Sequence, residues 1–396
     1  MTGWNPSHSL GHSLWWGSDN EHFLWMRRHG ANVTTTDVLP ADMEPLIREY
    51  WKQFRVLSPE WFFALGICIT ALGLISLTGN SVVIYIFLTT KSLRTPSNLL
   101  VVNLAFSDFM MMFTMMPMMS VCCFSQSWIF GPLACGIYGA FGSGFGSISI
   151  ISMMAIAIDR YRVIVKGLSG ERLTYREAVL WICIIWIFVG LWTAAPFFGW
   201  NSYVPEGNLT SCSIDMVSHD WNSRSYVIAY GTSVYLLPLL FLSYTYFYIV
   251  KTVVEHEYLL RKQARRMNVD RLKPKQPGIS VEAKISLVAL MTVVLWFVAW
   301  TPYAALAILG SLTNGKLVTP LISIWGAVFA KAGSCYNPIV YAISHPKYQE
   351  ALRKRLPRLY KFFSCTSSKP LEKVENQENQ HESTTIEKII SPESSP

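Results

Sequence analysis

Trp325-Gly326-Ala327-Val328-Phe329-Ala330-Lys331-Ala332-Gly333 lies in the middle of an apolar run, Val318–Ile343, and that run decides the fold. A helix needs ~20 mostly apolar residues to cross a bilayer. Six more runs of this kind precede it: Trp61–Leu88, Leu99–Cys123, Leu133–Ile158, Ala178–Trp200, Tyr226–Val250 and Ile285–Leu309. The 396 residues are 51% hydrophobic and 15% charged, against about a quarter charged in a soluble domain. A closed barrel would show alternating segments of ~10 residues instead. A large soluble helical protein would need charged helix faces, and these runs have almost none. The sequence therefore predicts an all-α membrane protein, a seven-helix bundle.

The charges lie between the runs, and their placement sets the topology. The formal charge is +8, which in a soluble protein would suggest nucleic acid. Here the basic residues alternate by loop. Lys91 and Arg94 lie after the first run, Arg160, Arg162, Lys166, Arg172 and Arg176 after the third, and a dense series from Lys251 to Lys284 after the fifth. The intervening loops hold none, Arg224 alone and Lys316 alone. Basic loops stay in the cytoplasm, so the amino terminus is expected outside and nucleic acid is no partner. The sequons Asn32-Val33-Thr34 and Asn208-Leu209-Thr210 fall on the same outer side, which makes Asn32 and Asn208 glycosylation candidates. Met1–Gly30 has no apolar core, so the first span is expected to direct insertion.

Four regions follow. Residues 1–58 form an extracellular tail with little fixed structure expected before about Thr34; its aromatic residues either lie on headgroups or cap the bundle. Residues 59–344 form the membrane domain. The loop after the fifth run begins with a helical pattern, Glu255 to Met267, which extends that helix until Pro274 and Pro277 break it. Residues 345–362 are basic and amphipathic and suit a single short helix on the inner leaflet, where membrane lipids are the partner. Residues 363–396, rich in Ser, Thr and Glu, read as a disordered cytoplasmic tail. Cys365 is either a palmitoylation site or a free thiol.

Lys331 carries the chemistry. A charged side chain at the centre of a span costs at least ~2.5–3.5 kcal/mol on insertion scales, so something must offset it. One option is a buried carboxylate, with Asp108 of the second span as the structural candidate. The other is covalent: an amine kept from water is nucleophilic towards carbonyls and forms a Schiff base. Asp108, Asn80 and Asn337 are buried polar groups on three spans and suit a polar network between helices. Cys135 and Cys212 both face the oxidising side, so a disulfide fits there. Pro196, Pro238, Pro302 and Pro338 each remove a helical hydrogen bond and favour kinks. No metal set stands out.

Taken together and in order, Gly79-Asn80, Leu104 to Asp108, Asp159-Arg160-Tyr161, Trp186, Trp300-Thr301-Pro302 and Asn337-Pro338-Ile339-Val340-Tyr341 resemble the rhodopsin-like G-protein-coupled receptors, from Trp61 to about Tyr360. Lys331 stands six residues before Asn337, where opsins bind retinal. Lys91 to Pro96, Tyr203 to Asn208, Gln263 to Val269 and Ser344 to Tyr348 are similar to arthropod visual opsins in particular. This resemblance implies a photoreceptor and not an enzyme. Its cofactor is 11-cis retinal or a close variant, held on Lys331 as a protonated Schiff base and isomerised by light to all-trans.

The same resemblance implies the remaining roles. Vertebrate pigments place the counterion three residues after the first disulfide cysteine; here that residue is Tyr138, and a phenol stays neutral near pH 7. Glu206 is the implied counterion, with Tyr138 and Ser211 helping, and so remote a counterion fits a bistable pigment. The second span has no lysine, which favours visible over ultraviolet absorption. The pocket is expected to comprise Tyr138, Gly142, Ser143, Gly146, Tyr235, Trp300, Tyr303 and Ala327, its small residues letting the polyene lie close to the backbone. Asp108, Asp159, Arg160, Tyr161, Tyr246, Asn337, Pro338 and Tyr341 form the implied switch, with the sixth span swinging about Pro302. The implied partners are a heterotrimeric G protein of the Gq class, arrestin and a receptor kinase acting between Thr366 and Thr385. The implied location is the plasma membrane or a rhabdomeric membrane. A receptor for a diffusible ligand would have no use for Lys331. A retinal photoisomerase would keep Lys331, but the intact signalling motifs argue against it. A transporter would show internal repeats, and none are visible.

Overall fold

The computed structural model describes residues 39–167, 170–266, 281–313 and 318–364. Seven long helices cross it. They are α1 (Pro59–Thr89), α2 (Pro96–Ser125), α3 (Gly131–Ile164), α4 (Tyr175–Ala194), α5, α6 (Val281–Leu312) and α7 (Pro320–Ser344). The fifth runs in three parts, Trp221–Gly231, a π-helical stretch Thr232–Leu236, and Leu237–Arg266. It thus extends well past the apolar run, as the Glu255–Met267 pattern predicts.

Local chemistry fixes the helix starts. Proline opens α1, α2 and α7, where its missing N–H costs nothing. Thr95, Asp220 and Thr319 accept backbone N–H groups at the starts of α2, α5 and α7. Thr174 and Glu177 form a reciprocal capping box at α4. Caps of this kind contribute ~1 kcal/mol each. Pro196 ends α4 earlier than the apolar run implies, turning the chain into a 3-10 stretch Ala195–Phe198.

Among the described residues, six helices are long and apolar enough to cross a membrane by length and composition alone. α7, the seventh predicted span, is not among them. It carries Ser323, Lys331, Ser334 and Asn337, all buried, so its polar groups face the bundle and lower its apolarity without exposing charge to lipid. The outward faces are the reverse of a soluble protein's: Leu133, Leu191 and Phe247 are exposed at 73%, 70% and 64%. Contiguous apolar surface of this kind marks a membrane contact.

Between α4 and α5 an antiparallel hairpin, β1 (Tyr203–Glu206) and β2 (Ser211–Ile214), is buried across one end of the bundle. The Cys135–Cys212 disulfide, with Cα atoms 5.4 Å apart, ties β2 to the start of α3. The amino-terminal tail caps the same end: Met43 and Trp51 are fully buried, Trp51 against Leu209, Met216, Val217 and Val318. Of the two fates open to the tail aromatics, Trp51 takes the capping one.

At the other end the expected single amphipathic helix over 345–362 is two, α8 (Pro346–Arg355) and α9 (Pro357–Ser364). Pro357 forces Leu356 out of helical geometry, to φ −132 and ψ 64. Asn32, Cys365, Pro274, Pro277, Met267 to Val269 and the Ser and Thr residues after Thr366 lie outside the described residues.

Candidate functional site

Beneath the hairpin lies a cavity of about 120 Å³ bounded by α2, α3, α5, α6, α7 and the hairpin. Its walls are mostly apolar: Met111, Met115, Ile214, Val227, Val234, Trp296, Trp300 and Ala307 among them. Lys331 borders it on α7 and Glu206 on the hairpin. Lys331 is 6% exposed and Glu206 is 3% exposed. Among the described residues Lys331 has no ion-pair partner within 4 Å, Asp108 included; its Nζ lies 5.9 Å from the centre of the Tyr138 ring.

Glu206 is held from three sides. Ser213 Oγ donates to Oε2 at 2.7 Å, Tyr303 Oη donates to Oε2 at 3.2 Å, and Ser211 Oγ donates to Oε1 at 3.4 Å. Burial pushes the Glu206 carboxyl above its ordinary value, against the pull of the Lys331 charge and these hydroxyls. Ser211 pairs with Glu206 across the strands. Ser213 makes the shortest of the three bonds, and its signal was available in the alternation Ser211-Cys212-Ser213, since residues two apart on a strand share a face.

The expected pocket residues Gly142, Ser143, Gly146, Tyr235, Trp300, Tyr303 and Ala327 all line the cavity. Tyr138 and Ser211 do not; they sit behind it, at the Lys331 and Glu206 end. The Tyr138 hydroxyl is buried and has no hydrogen-bond partner among the described residues. The two glycines among the small residues are also packed closely by other side chains. A Cβ on Gly146 would lie 2.3 Å from Trp300 Cη2, and one on Gly142 would lie 2.5 Å from Met115 Cε. They make room for protein side chains.

Tyr230, Ser147 and Trp296 were not anticipated. Tyr230 Oη and Ser147 Oγ are 2.6 Å apart, Tyr230 Oη donates to the Ser143 carbonyl at 2.9 Å, and Trp296 stacks on Trp300 at 5.3 Å. Residues 230 and 235 would stand ~140° apart on an ideal α-helix. The wider π-helical turn at Thr232–Leu236 brings both tyrosines to the cavity.

Between this cavity and the far end lies a polar chain. Ser149 Oγ donates to Asp108 Oδ1 and Asn337 Nδ2 donates to Asp108 Oδ2, both at 2.7 Å. Asn80 bonds instead to the Ser334 carbonyl at 3.0 Å. Gly79 packs on Pro338, where a Cβ would sit 2.9 Å from the proline ring. Trp186 Nε1 donates to Asn103 Oδ1 at 2.9 Å.

At the far end Arg160 forms an ion pair with Asp159, its Nε donating to Oδ2 at 3.1 Å. A second cavity there is lined by Arg160, Tyr246, Tyr341 and His345. The Tyr246 hydroxyl is buried with no hydrogen-bond partner among the described residues. Tyr161 is half-buried against the main core.

Asn208 of the second sequon lies in the hairpin turn, is 2% exposed, and its Oδ1 accepts from Thr210 Oγ1 at 2.7 Å.

Three comparisons bear on the whole. A family model described as "7 transmembrane receptor (rhodopsin family)" matches residues 79–341. The chain is 52% identical over 330 residues to the lateral eye opsin of Limulus polyphemus, covering 83% of this chain and 88% of that protein. It is 53% identical to ceropsin of Bombyx mori, covering 83% and 86%, and 49% identical to opsin Rh1 of Drosophila melanogaster, covering 83% and 88%. The crystal structure of squid rhodopsin superposes with a TM-score of 0.75 at 34% identity, covering 84% of this chain and 94% of that one.

Proposed function

Since this chain belongs to the rhodopsin family of seven-transmembrane receptors, as an opsin of the arthropod visual type and a receptor rather than an enzyme, we propose that it carries retinal on Lys331 and signals through a Gq-class G protein. The observation that carries this reading is the cavity itself. It is mostly apolar, and a buried amine and a buried carboxylate border it. Ligand sites are built this way, largely apolar with few placed polar groups. The unpartnered Tyr138 hydroxyl at the same end fits a bound polar group beside it.

Bound 11-cis retinal, or a close variant, supplies the visible absorption and the light-driven change of shape. Lys331 Nζ is its covalent anchor. Glu206 balances the positive charge there from beyond direct ion-pair distance, through Tyr303, Ser211 and Ser213, with Tyr138 closing the amine's other side. Ser143, Tyr230 and Tyr235 fix the far walls. Trp300, stacked on Trp296, transmits a change in cavity shape to α6 at Pro302. Differential fit to two bundle states then shifts their populations. Asp108 and Asn337 carry the shift along α7 to Pro338 and Tyr341, Arg160 leaves Asp159, and Tyr246 and Tyr341 close behind it. The freed cavity at that end receives the G protein. Arrestin and a receptor kinase act on the tail after Thr366. The amino terminus and hairpin face outward, and the host membrane is the plasma membrane or a rhabdomeric one.

The test is direct. Supply the full-length protein with 11-cis retinal in the dark, record its spectrum, then reduce with borohydride and map the adduct. A visible band and a retinyl group at Lys331 are expected. A protein with no band and no adduct at that position refutes the reading.

A further inference from the structure

The hairpin that carries Glu206 is fastened at its open end by a residue from outside the bundle. Arg48 lies in the amino-terminal tail, 167 residues before Asp215. Its Nε donates to Asp215 Oδ2 and its Nη2 donates to Ser202 Oγ, both at 2.5 Å. Ser202 and Asp215 form the rung just beyond β1 and β2: Asp215 N donates to the Ser202 carbonyl at 2.9 Å, next to the Tyr203–Ile214 pair. The Asp215 carboxylate is fully buried and also accepts from Val217 N and Ser218 N at 3.1 and 3.0 Å. Asn201 closes the same corner by accepting from Asp215 N and donating to its carbonyl. One guanidinium therefore bridges both strands at the point where the hairpin leaves the fold.

The same tail segment also grips α7. Tyr50 Oη donates to the Val318 carbonyl at 2.6 Å, two residues before α7 begins. Trp51 packs against Val318 on one side and Leu209, Met216 and Val217 of the hairpin region on the other. Hairpin and α7 are thus tied to each other through residues 48–51, and these are the two elements that bring Glu206 and Lys331 to the cavity. Glu206 is four residues along β1 from Ser202, about 13 Å at strand spacing, so Arg48 reaches it only through the strand.

We infer that Arg48 is a positioning residue for Glu206: by clamping Ser202 to Asp215 it holds the hairpin in the register and depth that set the carboxylate beside Lys331. This rests on the reading of Glu206 as the charge partner of Lys331. An exposed ion pair is worth little, but here one partner is fully buried, so losing Arg48 leaves the Asp215 carboxylate short of a donor and loosens the strand end.

The experiment compares wild type, Arg48→Gln, Arg48→Lys, Glu206→Gln and the Arg48→Gln/Glu206→Gln double variant, each full-length and bound to 11-cis retinal in the dark. Three quantities are read: the pH at which the visible band is lost, the rate at which hydroxylamine bleaches the pigment, and deuterium uptake of hairpin amides 203–214 in the retinal-free protein. Arg48→Gln should lower the midpoint by about one unit, a tenfold loss of proton affinity. It should also speed bleaching and raise hairpin uptake, with Arg48→Lys recovering part of each. In the Glu206→Gln background Arg48→Gln should leave the midpoint where it is. A midpoint unmoved by Arg48→Gln overturns the inference, and so does an equal shift in both backgrounds, which would mean Arg48 does not act through Glu206. If Glu206→Gln itself leaves the midpoint unchanged, the counterion reading fails first. If Arg48→Gln yields no pigment, the Arg48→Lys midpoint decides by the same comparison.

Discussion

Gly146→Ala puts a methyl group in place of one hydrogen on α3, and the structure says where it goes. The new Cβ would lie 2.3 Å from Trp300 Cη2 and 2.6 Å from Cζ2. Ordinary contact begins near 3.4 Å, so the indole edge must retreat by about 1.1 Å (3.4 less 2.3). Its freedom is limited. Trp296 stacks on one face at 5.3 Å and 17°, and a Cβ on Gly333 of α7 would already touch the indole nitrogen at 3.4 Å. Overpacking of this kind costs ~1–3 kcal/mol. If Trp300 leaves α3 on activation, the cost falls on the resting state alone. The same ~1–3 kcal/mol then becomes a ~5–150-fold gain in the signalling population. The assay is light-independent nucleotide exchange by a Gq-class G protein, with the pigment spectrum recorded beside it. The neighbouring Gly144→Ala is the control, since its Cβ meets only Thr193 Cγ2, at 3.4 Å. Unchanged dark exchange in a Gly146→Ala pigment of normal yield would refute the idea that Trp300 moves away from α3.

Replacing Glu206 by Gln keeps its volume and removes its charge. Two unit charges ~6 Å apart at an effective dielectric of about 20 interact by ~3 kcal/mol, so the dark pigment should lose its visible band ~2 pH units lower, read by spectral titration. In the retinal-free protein the raised Glu206 carboxyl binds its proton more tightly folded than unfolded. Its contribution is complete below the ordinary carboxylate range and declines as pH rises through and above it. Thermal unfolding from pH 4 to 7 should therefore show a downward slope that flattens in Glu206→Gln. His345 behaves oppositely: burial lowers it to about 4 from 6.5, so the unfolded chain takes up the proton first and stability falls as pH drops from 6.5 towards 4. His345→Asn keeps an acceptor for the Tyr348 N–H, which now reaches His345 Nδ1 at 3.1 Å, and should remove that acid sensitivity in the same melts. Asp108→Asn puts a donor amide in place of one of two oxygens that each accept at 2.7 Å; it should leave the dark band within a few nanometres but change light-driven nucleotide exchange severalfold, by ~1 kcal/mol of coupling. Normal signalling from that variant would remove Asp108 from the relay.

Apolar length carried most of the fold, because a bilayer leaves few options for a chain whose backbone must bond to itself. Lys331 carried the site for a related reason: an amine at mid-span must have a use. What stayed hidden depends on geometry that no single residue type announces. The π-helical turn puts Tyr230 beside Tyr235 on the cavity wall, and no residue in Thr232–Leu236 marks it. Asn208 satisfies its sequon yet lies buried, since a three-residue pattern says nothing of what folds over it. Arg48 sits in a tail with no periodicity, and its partner Asp215 is reached only after the hairpin forms.

The two ends of the bundle are built for different work. At the hairpin end a disulfide, the half-buried Arg48–Asp215 ion pair and the Trp51 cluster hold β1, β2, α3 and α7 together. At the far end the Asp159–Arg160 ion pair joins neighbouring residues beside a cavity lined from α1, α2, α3, α5, α6 and α7. An ion pair between chain neighbours joins no two elements, whereas the disulfide and the Arg48–Asp215 pair each tie separate parts of the chain, so the far end opens at lower cost. Strain introduced at Trp300 should thus relax towards Arg160 and away from Glu206. That predicts that Asp159→Asn, which weakens the far-end pair, raises dark nucleotide exchange without changing hydroxylamine access at the hairpin end. A Cys135→Ser/Cys212→Ser variant should do the reverse, losing pigment stability before it gains dark activity. If Asp159→Asn instead opened the pigment to hydroxylamine, the two ends would have to be coupled more tightly than the separate fastenings imply.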